Sequence, residues 1–255
     1  MAMTTIQSDG YDSVQEMVET YPLWKRFVLG VRTLRVIADD PHDSNSVQLF
    51  SMCVNANGYS DLSRRFEESE GGRRLLRERP VLDGTTMDFD ALAALPEGTL
   101  GHQLAHVFRS QNLKTFMMPK QVRTKVEFVA QRMLQTHDIW HVVADYRMDL
   151  IGELELQGFL LGQHPLLGHL MASVLGVPYV VFVGARRPFD PPVAGAPARL
   201  GMREVYNRWT AAYARGKAAR FGMALPWEDY WSTPLEAIRE ELGLTKKPAR
   251  APAVA

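Results

Sequence analysis

Cysteine is nearly absent from this sequence: Cys53 is the one thiol in 255 residues. No disulfide can form within the chain, which excludes a cystine-stapled scaffold and fits a reducing compartment. Surplus charge is absent too. Lysine and arginine together number 29, as do aspartate and glutamate, so no global field gathers polyanions and no nucleic-acid partner is expected. There is no Gly-rich phosphate loop, no internal repeat and no strand-rich region. VPYVVFV (residues 177–183) is the one good β candidate, and a lone strand cannot make a sheet. The first twenty residues carry four acids and no apolar run. They resemble neither a secretory signal nor an arginine-rich transit peptide, and a cytoplasmic protein is expected.

What is present is helical periodicity in a chain long enough to bury a core without staples. Leu23, Phe27, Val31 and Leu34 recur on one face of a helix over residues 22–37. Asp39-Asp40-Pro41 stops it, and Ser44 or Asn45 can cap a second helix running towards Asn57-Gly58. Residues 59–78, with paired Arg and Glu, predict a more exposed helix. From Gln121 to about Asp145 a long stripe of Val129, Met133, Trp140 and Ala144 includes His137 and His141. A basic amphipathic helix over 200–222 and a last helix around PLEAIREELGL complete the pattern. The expected class is all-α: a single multi-helix domain over 19–246, between a polar arm (1–18) and a frayed tail (247–255).

Residues 156–185 contain thirty positions without one Asp, Glu, Lys or Arg. A membrane span needs ~20 apolar residues, so length alone permits one. Pro165, Pro178, two histidines, two glutamines and several glycines favour instead a buried core helix, or a wall facing a lipidic ligand.

The chemistry lies in THDIWHVVADYRMDLIGE, residues 136–153. On a helix His137 and His141 are i and i+4, so both rings project from one face, one turn apart. That spacing lets two imidazoles reach one cation, as in the H-E-x-x-H zinc proteins. Asp138 is a candidate third ligand, a base on metal-bound water, or an orienting group. Glu153 is the discriminating residue. One continuous helix would carry it about 24 Å from His137 at 1.5 Å per residue, too far to share an ion. Asp145-Tyr146-Arg147-Met148-Asp149 interrupts the stripe, however. With Asp149 as N-cap of a following helix, a helix–turn–helix reversal would return Glu153 to the histidines. Such a donor set suits zinc, iron or manganese. Read as structure alone, the histidines are a core pair on an apolar face.

These residues resemble the Coq-four family of ubiquinone (coenzyme Q) biosynthesis proteins, whose pattern is H-D-x-x-H, eleven residues, then E. Here that pattern is His137, Asp138, His141, Val142 to Gly152, and Glu153. LLRERPVLDG, LPEGTLGHQLAHVF, DPHDSNSV and PLEAIREELGL are similar to further family stretches, over residues 25–244. One turn departs: mitochondrial members carry Gly-x-Pro-Thr-Asn where this chain has Asp145 to Asp149. The resemblance implies an all-α protein, peripheral on the inner face of the cell membrane. Its expected metal ligands are His137, Asp138, His141 and Glu153, its cofactor a divalent ion (zinc or iron). Its expected substrate is a polyprenylated benzenoid precursor of ubiquinone, which it would decarboxylate oxidatively at ring carbon one, with Asp138 in a catalytic role. Expected partners are other ubiquinone-biosynthesis proteins, and a homodimer is compatible with the sequence.

Three readings follow: a metal-dependent decarboxylase, a scaffold that presents prenylated precursors, and, more weakly, a hydrolase like the H-E-x-x-H metalloproteases. The charge-free run ending near Arg186 and Arg187 would suit an isoprenoid tail with a polar head. The basic run Arg215, Lys217 and Arg220 is either a contact for anionic lipid headgroups or the solvated face of a helix.

Overall fold

A computed structural model of the chain describes residues 20–39, 44–111, 122–183 and 200–244. The arm over 1–18, the tail over 247–255, Asp40-Pro41 and the loop holding Arg186 and Arg187 lie outside the described residues. Among those described, eleven α-helices and one short 3-10 helix (Trp227–Asp229) account for the regular structure and there is no β-strand. A single antiparallel bridge joins Thr99 to Pro234. The class is all-α. The chain divides into two compact units: residues 1–94, 105–137 and 223–229 form the first, and 95–104, 138–222 and 230–255 the second.

The first unit contains α1 (Leu23–Asp39), α2 (Ser44–Glu67), α3 (Glu70–Glu78), α4 (Phe89–Ala93), most of α5 (Leu100–Ser110) and α6 (Lys125–Gln135). Its central element is α2, whose Leu49, Met52, Ala56, Tyr59, Leu62 and Phe66 are all buried. Their spacing of three to four residues is one helical face. The helix does not stop at Asn57-Gly58, as the sequence suggested. A mid-helix glycine costs about 1 kcal/mol, while each large apolar side chain buried beyond it contributes about 1.5–3 kcal/mol, so continuation wins. On α1 two residues of the expected core face are exposed, Phe27 by 72% and Val31 by 49%. The small residues Gly30 and Thr33 are buried instead, and α1 packs on α2. The long helix expected from Gln121 begins only at Lys125, with a capping box between Thr124 and Glu127.

The second unit holds α7 (His137–Val143, from its second residue), α8 (Leu150–Gln163), α9 (Leu167–Val183), α10 (Met202–Ala218) and α11 (Leu235–Glu241). Leu150, Ile151 and Leu154 of α8, Val180 of α9, and Leu200 with Val205 at the start of α10 form one apolar cluster. The α8–α10 crossing is close because three positions have no side chain. A Cβ on Gly158 would lie 2.9 Å from the Trp209 indole. One on Gly162 would lie 2.5 Å from the Tyr213 carbonyl oxygen, and one on Gly216 2.0 Å from that of Phe159. Gly158 and Gly162 of the charge-free run therefore serve helix packing.

Pro165 divides that run. His164 before it is extended (φ −155°, ψ 130°) and ends α8, as sterics before proline require. The α8 half is mostly buried, as expected. The α9 half is not: Leu167, Leu170, Met171, Val174, Leu175, Tyr179 and Phe182 are exposed, Phe182 by 83%. VPYVVFV belongs to this helix, not to a strand. Among the described residues, no helix is long and apolar enough to cross a membrane.

Candidate metal centre

The centre is built on α7, a helix of seven residues set off from α6 by one residue. Thr136 leaves the helical region (φ −96°, ψ 0°). Its hydroxyl donates to the Arg132 carbonyl at 2.8 Å, and its amide donates to the same carbonyl at 3.0 Å. Threonine back-bonding of this kind bends or breaks helices. A new helix starts at His137 and presents His137 and His141 on one face.

The C-terminus of α7 is capped from three directions. Asp145 takes the left-handed conformation (φ 57°). The Tyr146 amide reaches the His141 carbonyl at 2.9 Å and the Asp145 amide the Val142 carbonyl at 3.4 Å. These bonds and the left-handed residue make a Schellman motif. Arg239 donates to the Val142 and Val143 carbonyls at 3.0 and 2.9 Å, and Arg215 to that of Ala144 at 2.5 Å. Two guanidinium groups at a helix C-terminus also oppose its negative dipole end. Arg215 additionally lies over the Tyr146 and Phe159 rings. Its place is thus on the turn after α7. Arg220 pairs with Glu241 at 2.7 Å, and Lys217 is exposed.

The chain then reverses. Asp149 is the N-cap of α8: one carboxylate oxygen accepts from the Gly152 amide at 2.8 Å, the other from Arg147 Nε at 2.7 Å. Gly152 is obligatory for space, since a Cβ there would sit 1.9 Å from the Arg147 carbonyl oxygen. In this turn Asp145 supplies the left-handed residue and Asp149 the cap. Asparagine and aspartate are the non-glycine residues that best tolerate that backbone.

The reversal delivers Glu153. One ligand atom from each of His137, His141 and Glu153 lies within 4.8 Å of the other two. His141 is buried, and its Nδ1 is 3.2 Å from the Tyr146 carbonyl oxygen. An amide carbonyl only accepts, so Nδ1 carries the hydrogen there and Nε2 is the nitrogen turned to the cluster. That Nε2 is 3.1 Å from Glu153 Oε2, whose side chain is one-third exposed. An imidazole fixed through one nitrogen by a carbonyl is the usual support of a metal-binding histidine. Asp138, the fourth residue singled out, is half-buried and stands outside this cluster. Two imidazoles and a carboxylate converging within a few ångströms fit a divalent first-row ion with coordination positions left open.

Tyr146 is buried beside the site, and burial pushes its phenol up to about 12, against the lowering influence of Arg215. It therefore remains a neutral phenol through the physiological range.

The profile described as Coenzyme Q (ubiquinone) biosynthesis protein Coq4 matches residues 15–187. The chain belongs to the Coq4 family. Among curated relatives, the mitochondrial ubiquinone biosynthesis protein COQ4 of Eremothecium gossypii is 26% identical over 89% of this chain and 67% of its own length. The mitochondrial coq-4 protein of Caenorhabditis elegans is 25% identical over 86% of this chain and 90% of its own. A crystal structure of a candidate ubiquinone biosynthesis protein from Nostoc punctiforme superposes with a TM-score of 0.68. It covers 89% of this chain and all of that one, at 23% identity, a likeness of fold. As a Coq4 family member, the chain is a ubiquinone biosynthesis protein. The triad of His137, His141 and Glu153 lies within the matched residues. The supports from Arg215 and Arg239 were not identified from sequence, since nothing in their spacing points to a turn seventy or ninety residues away; the Tyr146 carbonyl, within the turn, was not identified either.

Proposed function

We propose that this chain is a metal-dependent oxidative decarboxylase acting on a polyprenylated benzoate precursor of ubiquinone. The observation that carries the reading is the convergence of His137, His141 and Glu153 within 4.8 Å. Two histidines and one carboxylate with open positions suit iron(II) in particular, and iron rather than redox-inert zinc fits an oxidation. When bound, the ion would supply Lewis acidity beside the ring carboxylate and a route for electrons.

The chain's own residues do the rest. His137, His141 and Glu153 would hold the cation, with His141 fixed by the Tyr146 carbonyl and Glu153 carried in by the Asp149-capped turn. Asp138, next to His137 in sequence but outside the triad, would orient a ligand or accept a proton. The net change replaces a ring carboxylate by hydroxyl. The acid plus one water becomes phenol, carbon dioxide, two protons and two electrons, which dioxygen or another two-electron acceptor must take up. The exposed apolar face of α9 supports a lipidic substrate and peripheral attachment to the inner face of the cell membrane, among other ubiquinone-biosynthesis proteins.

The same face supports a second reading, a scaffold that presents prenylated precursors without reacting. One experiment separates the two. Protein loaded with iron(II) is incubated in air with a polyprenylated benzoate carrying 13C in its ring carboxylate. Labelled carbon dioxide released in step with a prenylated phenol, and lost in His141→Ala, supports the enzyme. Precursor bound but intact identifies the scaffold.

A further inference from the structure

We propose that Gln157 and His169 are positioning residues that fix the Glu153 carboxylate for the metal. The inference rests on the metal reading of the triad above. Glu153 and Gln157 are i and i+4 on α8 and share a face. Gln157 Nε2 donates to Glu153 Oε1 at 2.8 Å, while Glu153 Oε2 faces His141. Each carboxylate oxygen thus has its own neighbour: one is held on its own helix, the other is turned to the cluster.

The amide of Gln157 does this only in one orientation, because its oxygen would repel the carboxylate. His169 sets that orientation. Its Nδ1 lies 2.7 Å from Gln157 Oε1, an atom that accepts and never donates, so Nδ1–H donates to it. His169 stands near the start of α9, where its own carbonyl accepts from the Ser173 hydroxyl at 2.7 Å. The path runs His169 to Gln157 to Glu153 to the cation, all on α8 and α9 of one compact unit. Sequence pattern hides it, because Gln157 and His169 sit inside the charge-free run and read as polar interruptions of an apolar wall. Partners of this kind are worth about 10–100-fold in metal affinity.

Cobalt(II) is titrated into the full-length protein and into Gln157→Leu, His169→Leu, His169→Asn and His141→Ala. Affinity is measured by competition with a chromophoric chelator, and the cobalt visible absorption spectrum is recorded. Gln157→Leu is expected to lose at least about 10-fold in affinity and to change the spectrum, with circular dichroism retained. His169→Leu is expected to follow it. His169→Asn restores the donor near the position of Nδ1 and is expected to recover most of the loss, which a merely structural role would not do. Wild-type affinity and spectrum in both leucine variants would overturn the positioning role while leaving the triad standing. Absence of cobalt binding by the wild type, indistinguishable from His141→Ala, would overturn the triad and the positioning role together.

Discussion

Gly152→Ala sets two effects of opposite sign against each other at the reversal that makes the centre. Helix propensity alone favours alanine by about 1 kcal/mol in a helix interior. Space opposes it. The new Cβ would lie 1.9 Å from the Arg147 carbonyl oxygen, 2.6 Å from its carbon and 2.7 Å from the Arg147 nitrogen. Every one of these is backbone, so no rotamer change relieves the clash. Reaching even a 3.0 Å contact moves the turn by about 1.1 Å relative to α8. Overpacking of this kind costs about 1–3 kcal/mol. The Asp149 cap on the Gly152 amide is disturbed as well, and a cap is worth about 1 kcal/mol. The net expectation is destabilisation by about 2 kcal/mol, some 30-fold in the folding equilibrium. The shift also separates the Tyr146 carbonyl from His141 and displaces Glu153. Urea unfolding followed by tryptophan fluorescence gives the stability, and cobalt titration the second consequence. A midpoint equal to or above wild type, with unchanged cobalt affinity, would refute the tight reversal as the device that assembles the triad.

Glu228→Ala removes the bidentate partner of Arg132, whose side chain is fully buried and bonded at 2.7 Å through both terminal nitrogens. The stranded guanidinium is expected to cost about 3–5 kcal/mol, read as a lowered denaturation midpoint; a loss below about 1 kcal/mol would count against it. Tyr146 has its phenol raised by burial from 10.0 to about 12. Its contribution is therefore complete below pH 10 and falls away between pH 10 and 12, because the unfolded state releases the proton first. Tyr146→Phe is expected to flatten the pH dependence of stability in that window, measured as midpoint against pH; an unchanged slope would contradict it. Asp145→Gly relieves a left-handed non-glycine residue and is expected to raise the melting temperature slightly, a gain of about 0.5–1 kcal/mol, with a fall in its place contradicting the Schellman assignment.

Helix was legible in the sequence where a stripe was strong, as across α6 and α7, though the break between them at Thr136 was not. The reversal was legible too, because an interrupted stripe followed by Asp149 and Gly152 is a local signal. What escaped was set by distant partners or by competition between terms. Asn57-Gly58 resembles a stop, yet the buried stripe through Leu62 and Phe66 outweighs one glycine. Phe27 and Val31 look like core by period, but period does not say which apolar face finds a neighbour. The same limit applies to α9, where a run of Leu, Val and Phe resembles an interior helix or a strand and proves to be an exposed apolar face. Arg215 reads as surface charge, since nothing local reveals that its guanidinium caps the carbonyl of Ala144.

The measurement to make first is elemental analysis of protein purified with oxygen excluded, wild type beside His141→Ala and Glu153→Ala. A triad of His137, His141 and Glu153 predicts a stoichiometric divalent ion in the wild type. His141→Ala should carry none and Glu153→Ala sharply less, with all three folded by circular dichroism. No metal in the wild type after reconstitution with iron(II) or zinc, or equal metal in wild type and His141→Ala, would contradict it and leave α7 as a helix that carries two histidines.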